Sequence, residues 1–378
     1  MLGTGTLTLS QLLAGCGGQD RETLRVQLLK GSIPAQLLNE FRATLEQRPD
    51  LQFAPTEQLN DLFNQLKSWS RQTAKADKGR WQLSLPFIKS KKTVLPDLIT
   101  LGDYWLTQAV EQKLIQPLDS AKLQQWQQLP SRWQELVRRN DKGQLDAQGK
   151  VWAAPYRWGT TVIAYNRDKF KSLNWKPSDW SDLWRPELRD RISLISQPRE
   201  IIGLTLKKLG KSYNTENLNI PDLEKQLGAL HQQVKFYSSD TYLQPLITGD
   251  TWLAVGWSTD VLPVIQRYQQ IAAIIPQSGT ALWADMWVRP AGDGSSTSLS
   301  EKWIDFCWQP QTAQQISLLS KATSVIPATL KPADIQEGLR NLLLSDPQIF
   351  QRSEFLLPLA KATMQEYQSL WQAITGKK

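Results

Sequence analysis

Short apolar segments alternate with amphipathic ones along the chain. Residues 24–29 predict a strand, and the apolar residues that follow recur at helical spacing, with Ser32 as the expected N-cap. An amphipathic helix over residues 56–75 and a buried strand over residues 97–101 repeat this order. Strands that alternate with helices are typical of parallel sheets with crossover helices. The pattern therefore predicts an α/β fold.

One connection between predicted strands lacks a helix. Residues 151–156 and 162–165 are apolar, and a Trp-Gly-Thr-Thr passage at 158–161 joins them. Such a passage is typical of a chain that crosses from one lobe to another, and ligands bind in clefts between lobes. The expected division assigns residues 22–159 plus 285–330 to lobe one, and residues 160–284 plus 331–378 to lobe two.

The second half of the chain continues the alternation. Strands are predicted at residues 191–196, 252–257, 271–275 and 281–288, and helices at residues 201–210, 221–234 and 300–320. The length of 378 residues agrees with two domains. The hydrophobic fraction of 40% and the charged fraction of 21% are those of an ordinary soluble globular protein.

The N-terminal residues predict a lipid anchor. The sequence LLAGC, which ends at Cys16, has the pattern of a bacterial lipobox, and residues 5–14 resemble the apolar part of a signal peptide. No Lys or Arg precedes this apolar run. We expect residues 1–21 to be a signal segment, lipobox and tether, with Cys16 as the lipidated residue. The expected localisation is the periplasm, with the protein anchored to the membrane through lipid.

Composition argues against several function classes. The chain has two Cys residues and one His, so a zinc site or a Cys/His or Ser/His nucleophile system is not expected. The net charge of +8 is spread along the chain, without a basic module interleaved with aromatic residues. We therefore expect no metal, no cofactor, no enzymatic activity and no nucleic-acid partner.

Aromatic and acidic residues follow the carboxyl ends of several predicted strands, where open α/β sheets bind ligands. The candidate ligand-binding residues are Asp103, Tyr104, Glu200, Trp257, Asp260, Trp283 and Asp285. An aromatic ring face attracts an ammonium group, and a carboxylate accepts its charge-assisted hydrogen bonds. The set therefore predicts an organic cation as the ligand.

Each candidate also has a structural interpretation. Asp103 and Asp260 occupy positions of helix caps. Glu200 has Arg199 as an adjacent partner, and most of the 17 Trp residues must serve packing. Trp283 and Asp285 alternate along one face of a strand, which favours them as ligand residues.

Five segments carry a more specific pattern. They are PYRWGTTVIAYNRD (155–168), WSDLWRPELRDRISLISQPREIIG (180–203), GDTWLAVGWSTD (249–260), GTALWADMWVRP (279–290) and WIDFCWQPQTAQQI (303–316). Together they resemble the spermidine/putrescine-binding proteins of bacterial polyamine ABC transporters, over nearly the whole mature chain. The resemblance implies a two-lobed type II periplasmic-binding fold and a monomer that closes on its ligand. It also implies an ABC permease and its ATPase as partners.

The resemblance assigns roles to five candidates. Glu200 resembles the carboxylate that holds one end of a polyamine. Trp283 and Asp285 resemble the ring and the carboxylate that hold another part of it. Trp257 resembles the stacking Trp, and Tyr104 resembles the Tyr of a loop in lobe one. These residues indicate a substrate-binding lipoprotein of an importer that captures putrescine, spermidine or related amines.

The sequence also departs from this family. Leu29-Lys30-Gly31-Ser32 replaces a Trp-Thr-x-Tyr-like segment, Gln197 replaces an acidic residue, Gly102 lies where a Ser is usual, and a Tyr is missing near Thr323 and Ser324. These changes, with Lys30 and Arg157, leave open a zwitterion such as an amino acid or γ-aminobutyrate as the ligand of the same transport role. A carbohydrate-active protein and a structural lipoprotein are alternatives of other classes.

Overall fold

The computed structural model describes residues 22–79, 94–292, 298–327, 330–344 and 346–376, and of residues 72–79 only the backbone. The predicted signal segment and tether, with Cys16, lie outside these residues. None of the helices within the described ranges combines the length and apolar character that a bilayer crossing requires.

The predicted strands and helices are present in the predicted order, together with shorter elements that the sequence does not predict. The strands in the described ranges are β1 (Thr23–Leu29), β2 (Asp50–Thr56), β3 (Leu98–Gly102), β4 (Ile115–Gln116), β5 (Arg138–Arg139), β6 (Lys150–Val151), β7 (Ala154–Asn166), β8 (Ile192–Leu194), β9 (Val234–Tyr237), β10 (Leu253–Trp257), β11 (Ile271–Ile274), β12 (Ala281–Pro290), β13 (Thr323–Ser324) and β14 (Glu354–Phe355). The helices are α1 (Ala35–Ala43), α2 (Leu59–Gly79), α3 (Leu106–Glu111), α4 (Ser131–Val137), α5 (Arg167–Lys171), α6 (Pro198–Lys208), α7 (Leu223–Gln233), α8 (Gln244–Thr248), α9 (Ser258–Arg267), α10 (Ser298–Cys307), α11 (Pro310–Leu319), α12 (Glu337–Leu343), α13 (Pro347–Arg352) and α14 (Lys361–Thr375).

The sheet continues through both halves of the molecule in the order β2-β1-β3-β12-β7-β10-β8-β9. In the first half, β1 pairs in parallel with β2 and β3, and β12 runs antiparallel to β3 and β7. In the second half, β8 pairs in parallel with β9 and β10, and β10 runs antiparallel to β7. The expected α/β class is therefore confirmed.

Strand β7 is common to both halves. Its first residues pair with β12, from Ala154 to Thr160. Its last residues, from Thr161 to Asn166, pair with β10 and β11. All of its residues are buried, because each face of the strand is covered. The two strands predicted around the Trp-Gly-Thr-Thr passage are thus a single strand through that passage.

Two hydrophobic cores lie on either side of the passage. The first contains Leu24, Leu98 and Trp158, together with Leu282 and Trp303. The second begins with Val162 and Ile163 on β7 and contains Trp180, Leu253 and Ala281. Phe355 packs with the first core, although Leu339 and Tyr367 on either side of it pack with the second.

Two details of the helices differ from the prediction. Pro34, in an extended conformation, occupies the N-cap of α1 instead of Ser32. The helix predicted over residues 300–320 is two helices, α10 and α11, because Pro310 lacks an amide donor and restricts Gln309 to extended conformations.

Candidate functional site

A cleft of about 680 Å³ lies between the two cores. Its lining includes all seven residues that the sequence nominates, namely Asp103, Tyr104, Glu200, Trp257, Asp260, Trp283 and Asp285. Other lining residues come from both halves of the molecule, among them Leu59 and Gly102 from the first and Gln197 and Thr259 from the second. Residues that are far apart in the sequence therefore meet in one cavity.

The carboxyl ends of parallel strands place four of these residues. Asp103 follows β3 directly, and Glu200 lies in the first turn of α6, which follows β8. Trp257 ends β10, and Asp260 lies in the first turn of α9. This is the edge at which open α/β sheets bind ligands, so the arrangement follows from the strand order.

Trp283 and Asp285 extend from β12 toward β7. Their cross-strand partners on β7 are Gly159 and Arg157, respectively. A Cβ atom on Gly159 would lie 2.2 Å from Cζ2 of Trp283 and 2.5 Å from Oγ of Ser258. Only Gly leaves room for the indole ring at that position, so Gly159 determines where the ring lies.

Arg157 and Asp285 form a buried ion pair. The Nε and Nη2 atoms of Arg157 each lie 2.7 Å from Oδ2 of Asp285. The side chains of Arg157 and Asp285 are only 5% and 2% exposed. Burial raises the pKa of Asp285, and the neighbouring guanidinium of Arg157 opposes that rise. The negative charge of Asp285 thus already has a counter-ion within the protein.

Glu200 has a different environment. Its carboxylate accepts hydrogen bonds from Oγ1 of Thr161, at 3.0 and 3.1 Å, and from Nε1 of Trp257, at 3.3 Å. Both donors are uncharged. The adjacent Arg199 instead donates to the backbone oxygens of Tyr213 and Leu357 and to a side-chain oxygen. The sequence left open that Glu200 only pairs with the adjacent Arg199. The hydrogen bonds of the two side chains go to other partners, so they do not support that interpretation.

A hydroxyl group joins Trp257 to Asp260. The hydroxyl of Tyr242 donates to Oδ2 of Asp260 at 3.0 Å and accepts the backbone N–H of Trp257 at 3.0 Å. The Tyr242 ring lies where a Cβ atom on Gly256 would be, 1.9 Å from Cε2. Tyr242 thereby fixes both the end of β10 and the carboxylate of Asp260.

Asp103 and Tyr104 occupy the opposite side of the cleft. Oδ1 of Asp103 accepts the backbone N–H of Ala284 at 3.0 Å, which ties the end of β3 to β12. The side chain of Tyr104 is 52% exposed and contacts the Trp105 ring edge-on. Tyr104 is therefore an exposed aromatic surface at the cleft.

Burial changes the ionisation of two cleft carboxyls. Desolvation raises the pKa of Glu200 to about 7 and the pKa of Asp103 to about 7, although hydrogen bonds to each oppose this effect. Burial also raises the pKa of Asp260, against the hydrogen bond from Tyr242. A cation brought into the cleft would favour the ionised forms of these groups.

The lining is acidic overall. Two guanidinium groups, those of Arg157 and Arg199, face six carboxylates, those of Glu57, Asp103, Glu200, Asp240, Asp260 and Asp285. Lys30 is not part of the lining; its Nζ lies 2.6 Å from Oε1 of Glu57, and its side chain is 63% exposed. The described residues contain no group of three or more His, Cys, Asp or Glu side chains suited to a metal ion. The arrangement suits non-covalent recognition of a cation.

Sequence reasoning missed Thr161 and Tyr242, and it weighed Arg157 only as an extra positive charge. The alternation of β7 offered a signal for Thr161, because Arg157, Gly159 and Thr161 share one face of a strand. Nothing in the local sequence of Tyr242 indicates that its hydroxyl reaches the end of a distant strand.

Comparison with known sequences places these features in context. Residues 94–342 match the family described as bacterial extracellular solute-binding protein. The chain is 26% identical over 284 residues to the putrescine-binding periplasmic protein PotF of Escherichia coli, covering 67% of this chain and 75% of PotF. It is 25% identical over 262 residues to spermidine/putrescine-binding periplasmic protein 1 of Haemophilus influenzae, covering 69% and 68% of the two chains.

Solved structures agree with this match. The spermidine/putrescine ABC transporter substrate-binding protein PotD of Streptococcus pneumoniae superposes with a TM-score of 0.76 at 18% identity. The alignment covers 94% of this chain and 99% of that one. The expected fold, with two lobes and a cleft between them, is thereby confirmed.

Proposed function

The chain belongs to the bacterial extracellular solute-binding proteins, and from this premise we propose that it captures a polyamine or a related amine for an ABC importer. The ligand class named for the relatives PotF and PotD, putrescine and spermidine, agrees with the aromatic and acidic lining of the cleft. The proposed role is that of a carrier and not of an enzyme, and the names of the relatives as binding proteins support it.

Glu200 carries the proposal. Its carboxylate is 6% exposed and accepts hydrogen bonds from two uncharged groups, those of Thr161 and Trp257. A buried carboxylate without a counter-ion in direct contact is unfavourable, and the nearby charge of Arg199 offsets only part of this cost. An ammonium group of the ligand would supply the missing charge, and the indole of Trp257 would offer a ring face to the same cation.

Binding is proposed to close the cleft. The lining residues come from two halves of the protein that share β7, and Tyr104 presents an exposed ring at the opposite side from Glu200. A ligand stabilises the closed form only if it makes contacts there that are missing in the open form. Closure of the two predicted lobes on the ligand would create these contacts.

The other parts of the proposal concern the cellular setting. The protein is proposed to act in the periplasm as a monomer, anchored by lipid at Cys16, and to deliver its ligand to a permease with an ATPase. The periplasmic setting of the relatives supports this. Labelling with a radioactive fatty acid and a Cys16→Ser control would test the anchor, and equal labelling of both proteins would refute it.

A thermal-shift screen tests the ligand class. The purified protein is heated with putrescine, spermidine, γ-aminobutyrate or maltose, each at several concentrations. A ligand present at one hundred times its Kd adds about 2.7 kcal/mol to the free energy of unfolding. We expect stabilisation by an amine and none by maltose. The proposed function would be contradicted if maltose alone stabilised the protein, or if no amine did.

A further inference from the structure

The two most buried acidic groups of the cleft differ in their partners. Asp285 pairs with the guanidinium of Arg157, whereas Glu200 accepts hydrogen bonds only from uncharged donors among the described residues. Both carboxylates are buried, at 1% and 6% exposure. Asp285 therefore has a guanidinium in direct contact, whereas the nearest positive charge to Glu200, that of Arg199, acts on its carboxyl without a hydrogen bond and lowers its pKa only in part.

The guanidinium of Arg157 is committed to the protein. Its Nε and Nη2 atoms donate to Oδ2 of Asp285, and its Nη1 atom donates to the backbone oxygen of Ser320 at 3.1 Å. Arg157 is 4% exposed. These contacts use three of the five N–H bonds, including the edge formed by Nε and Nη2, so that edge cannot bind a carboxylate of the ligand in a bidentate manner.

The position of this pair follows from strand register. Arg157 and Asp285 are direct cross-strand partners on β7 and β12, where opposite charges attract. Asp285 also lies opposite Gly102 of β3, next to Asp103. A cation at this end of the cleft would meet an ion pair whose net charge is zero, so it gains less there than beside a carboxylate without a contacting counter-ion. This end therefore favours an uncharged part of the ligand, and Oδ1 of Asp285, which has no hydrogen-bond partner among the described residues, can accept a hydrogen bond from it.

We propose that Arg157 is a specificity-determining residue that takes the place of one ligand cation at Asp285. The ligand then places its positive charge by Glu200, and the cleft prefers an amine with fewer charges, such as the diamine putrescine, to the triamine spermidine. This inference rests on the proposed function and narrows its ligand class.

The test is isothermal titration calorimetry of the full chain with putrescine, spermidine and γ-aminobutyrate. The variants are Arg157→Met, Asp285→Asn and the double variant that combines them. Lys207→Met is the matched control, since it removes the partner of a carboxylate, Glu354, outside the cleft lining. Thermal unfolding confirms that each variant is folded.

Five results are expected. Wild-type protein binds putrescine more tightly than spermidine. Arg157→Met raises the affinity for spermidine about tenfold, because the freed carboxylate gains an ammonium partner, with a smaller rise for putrescine. Asp285→Asn weakens binding of both amines, because it leaves the guanidinium uncompensated. The double variant binds each amine with an affinity within about threefold of that of wild type. The control variant leaves the affinity for both amines unchanged.

Other outcomes would overturn the inference. A double variant as weak as Asp285→Asn would mean that Asp285 itself holds a ligand cation. Loss of γ-aminobutyrate binding in Arg157→Met would mean that Arg157 holds a ligand carboxylate. If Arg157→Met does not fold, the inference is tested by the double variant alone, whose affinity is again compared with that of Asp285→Asn. If wild type binds neither amine, the proposed function fails, and this inference fails with it.

Discussion

The indole Nε1 of Trp257 lies 3.3 Å from Oε1 of Glu200 and donates a hydrogen bond to it. This bond holds an aromatic ring and a carboxylate in a fixed relation at the end of β10. An organic cation is recognised by both kinds of group at once, through the ring face and through charge-assisted hydrogen bonds. The relation depends on residues that are 57 positions apart, so it is a property of the fold and not of a local motif.

Replacement of Glu200 by Gln should weaken amine binding at least tenfold, because the ligand ammonium loses its counter-ion while the shape of the site is kept. Isothermal titration calorimetry measures the loss. Thr161→Val is the matched control, since it removes a hydrogen bond to Glu200 but keeps the charge, and a smaller loss is expected there. An equal loss in both variants would point to positioning of the side chain and not to its charge.

The stability of the ligand-free protein should fall as pH rises from about 4.5 to about 7. The pKa of Glu200 is raised by burial from 4.5 to about 7, so the folded state binds more protons than the unfolded state in this window. The contribution of Glu200 to the free energy of unfolding is fully present below its pKa in the unfolded state and is lost above its pKa in the folded state. Asp103 adds an effect of the same sign, with its pKa raised from 3.8 to about 7. Thermal unfolding in buffers of different pH measures the change in stability. Glu200→Gln should make stability depend less on pH.

Amine affinity should rise over the same pH range and then level off. A bound ammonium beside Glu200 favours the ionised carboxylate, so binding below about pH 7 must release protons. Calorimetry in two buffers of different ionisation enthalpy counts the protons released. Affinity that is independent of pH between about 5 and about 8 would show that Glu200 does not face the ligand charge.

Replacement of Gly159 by Ala should lower ligand affinity with a modest loss of stability. The new methyl group would lie 2.2 Å from Cζ2 of Trp283, so the indole must move. We expect a loss of about tenfold or more in affinity, or about 1.4 kcal/mol. Gly228→Ala is the control, because no atom beyond the chain neighbours and the backbone of α7 itself lies within 4 Å of its Cβ position among the described residues. Unchanged binding by Gly159→Ala would show that the ring position is not important.

Replacement of Tyr242 by Phe should destabilise the protein by about 1–3 kcal/mol. The variant leaves the backbone N–H of Trp257 and Oδ2 of Asp260 without their shared hydroxyl partner. Chemical denaturation measures the change. Tyr367→Phe removes a hydroxyl that donates to the backbone oxygen of Thr215 but does not bridge a strand end and a carboxylate, and should cost less stability. A larger loss of stability in Tyr367→Phe than in Tyr242→Phe would refute this role of Tyr242.

Much of the fold could be predicted from sequence because the hydrophobic period and the turn residues act locally. The strands near residues 97–101 and 252–257 were located within a residue or two. The break at Pro310 was missed, although proline gives a local signal, because the apolar period continues across it. The single strand β7 is predicted as two strands, because its Trp-Gly-Thr-Thr passage interrupts the apolar run and is typical of a crossing between lobes.

The candidate site could be predicted in part for the same reason. Asp103, Glu200 and Trp257 stand beside strand ends, which sequence patterns locate, and all three line the cleft. The pairing of Arg157 with Asp285 depends on the register of two strands whose residues are 128 positions apart. No local pattern encodes that register. The binding roles of all seven candidates stay predictions until ligand affinities are measured.

Strand β7 also restricts how this protein can change during evolution. Arg157, Gly159 and Thr161 lie on one face of it, where they contact Asp285, underlie Trp283 and donate to Glu200, respectively. Side chains alternate between faces with a period of two residues. Insertion or deletion of one residue between Arg157 and Thr161 would put them on opposite faces. Sequences that keep this cleft should therefore vary here by substitution and not by length.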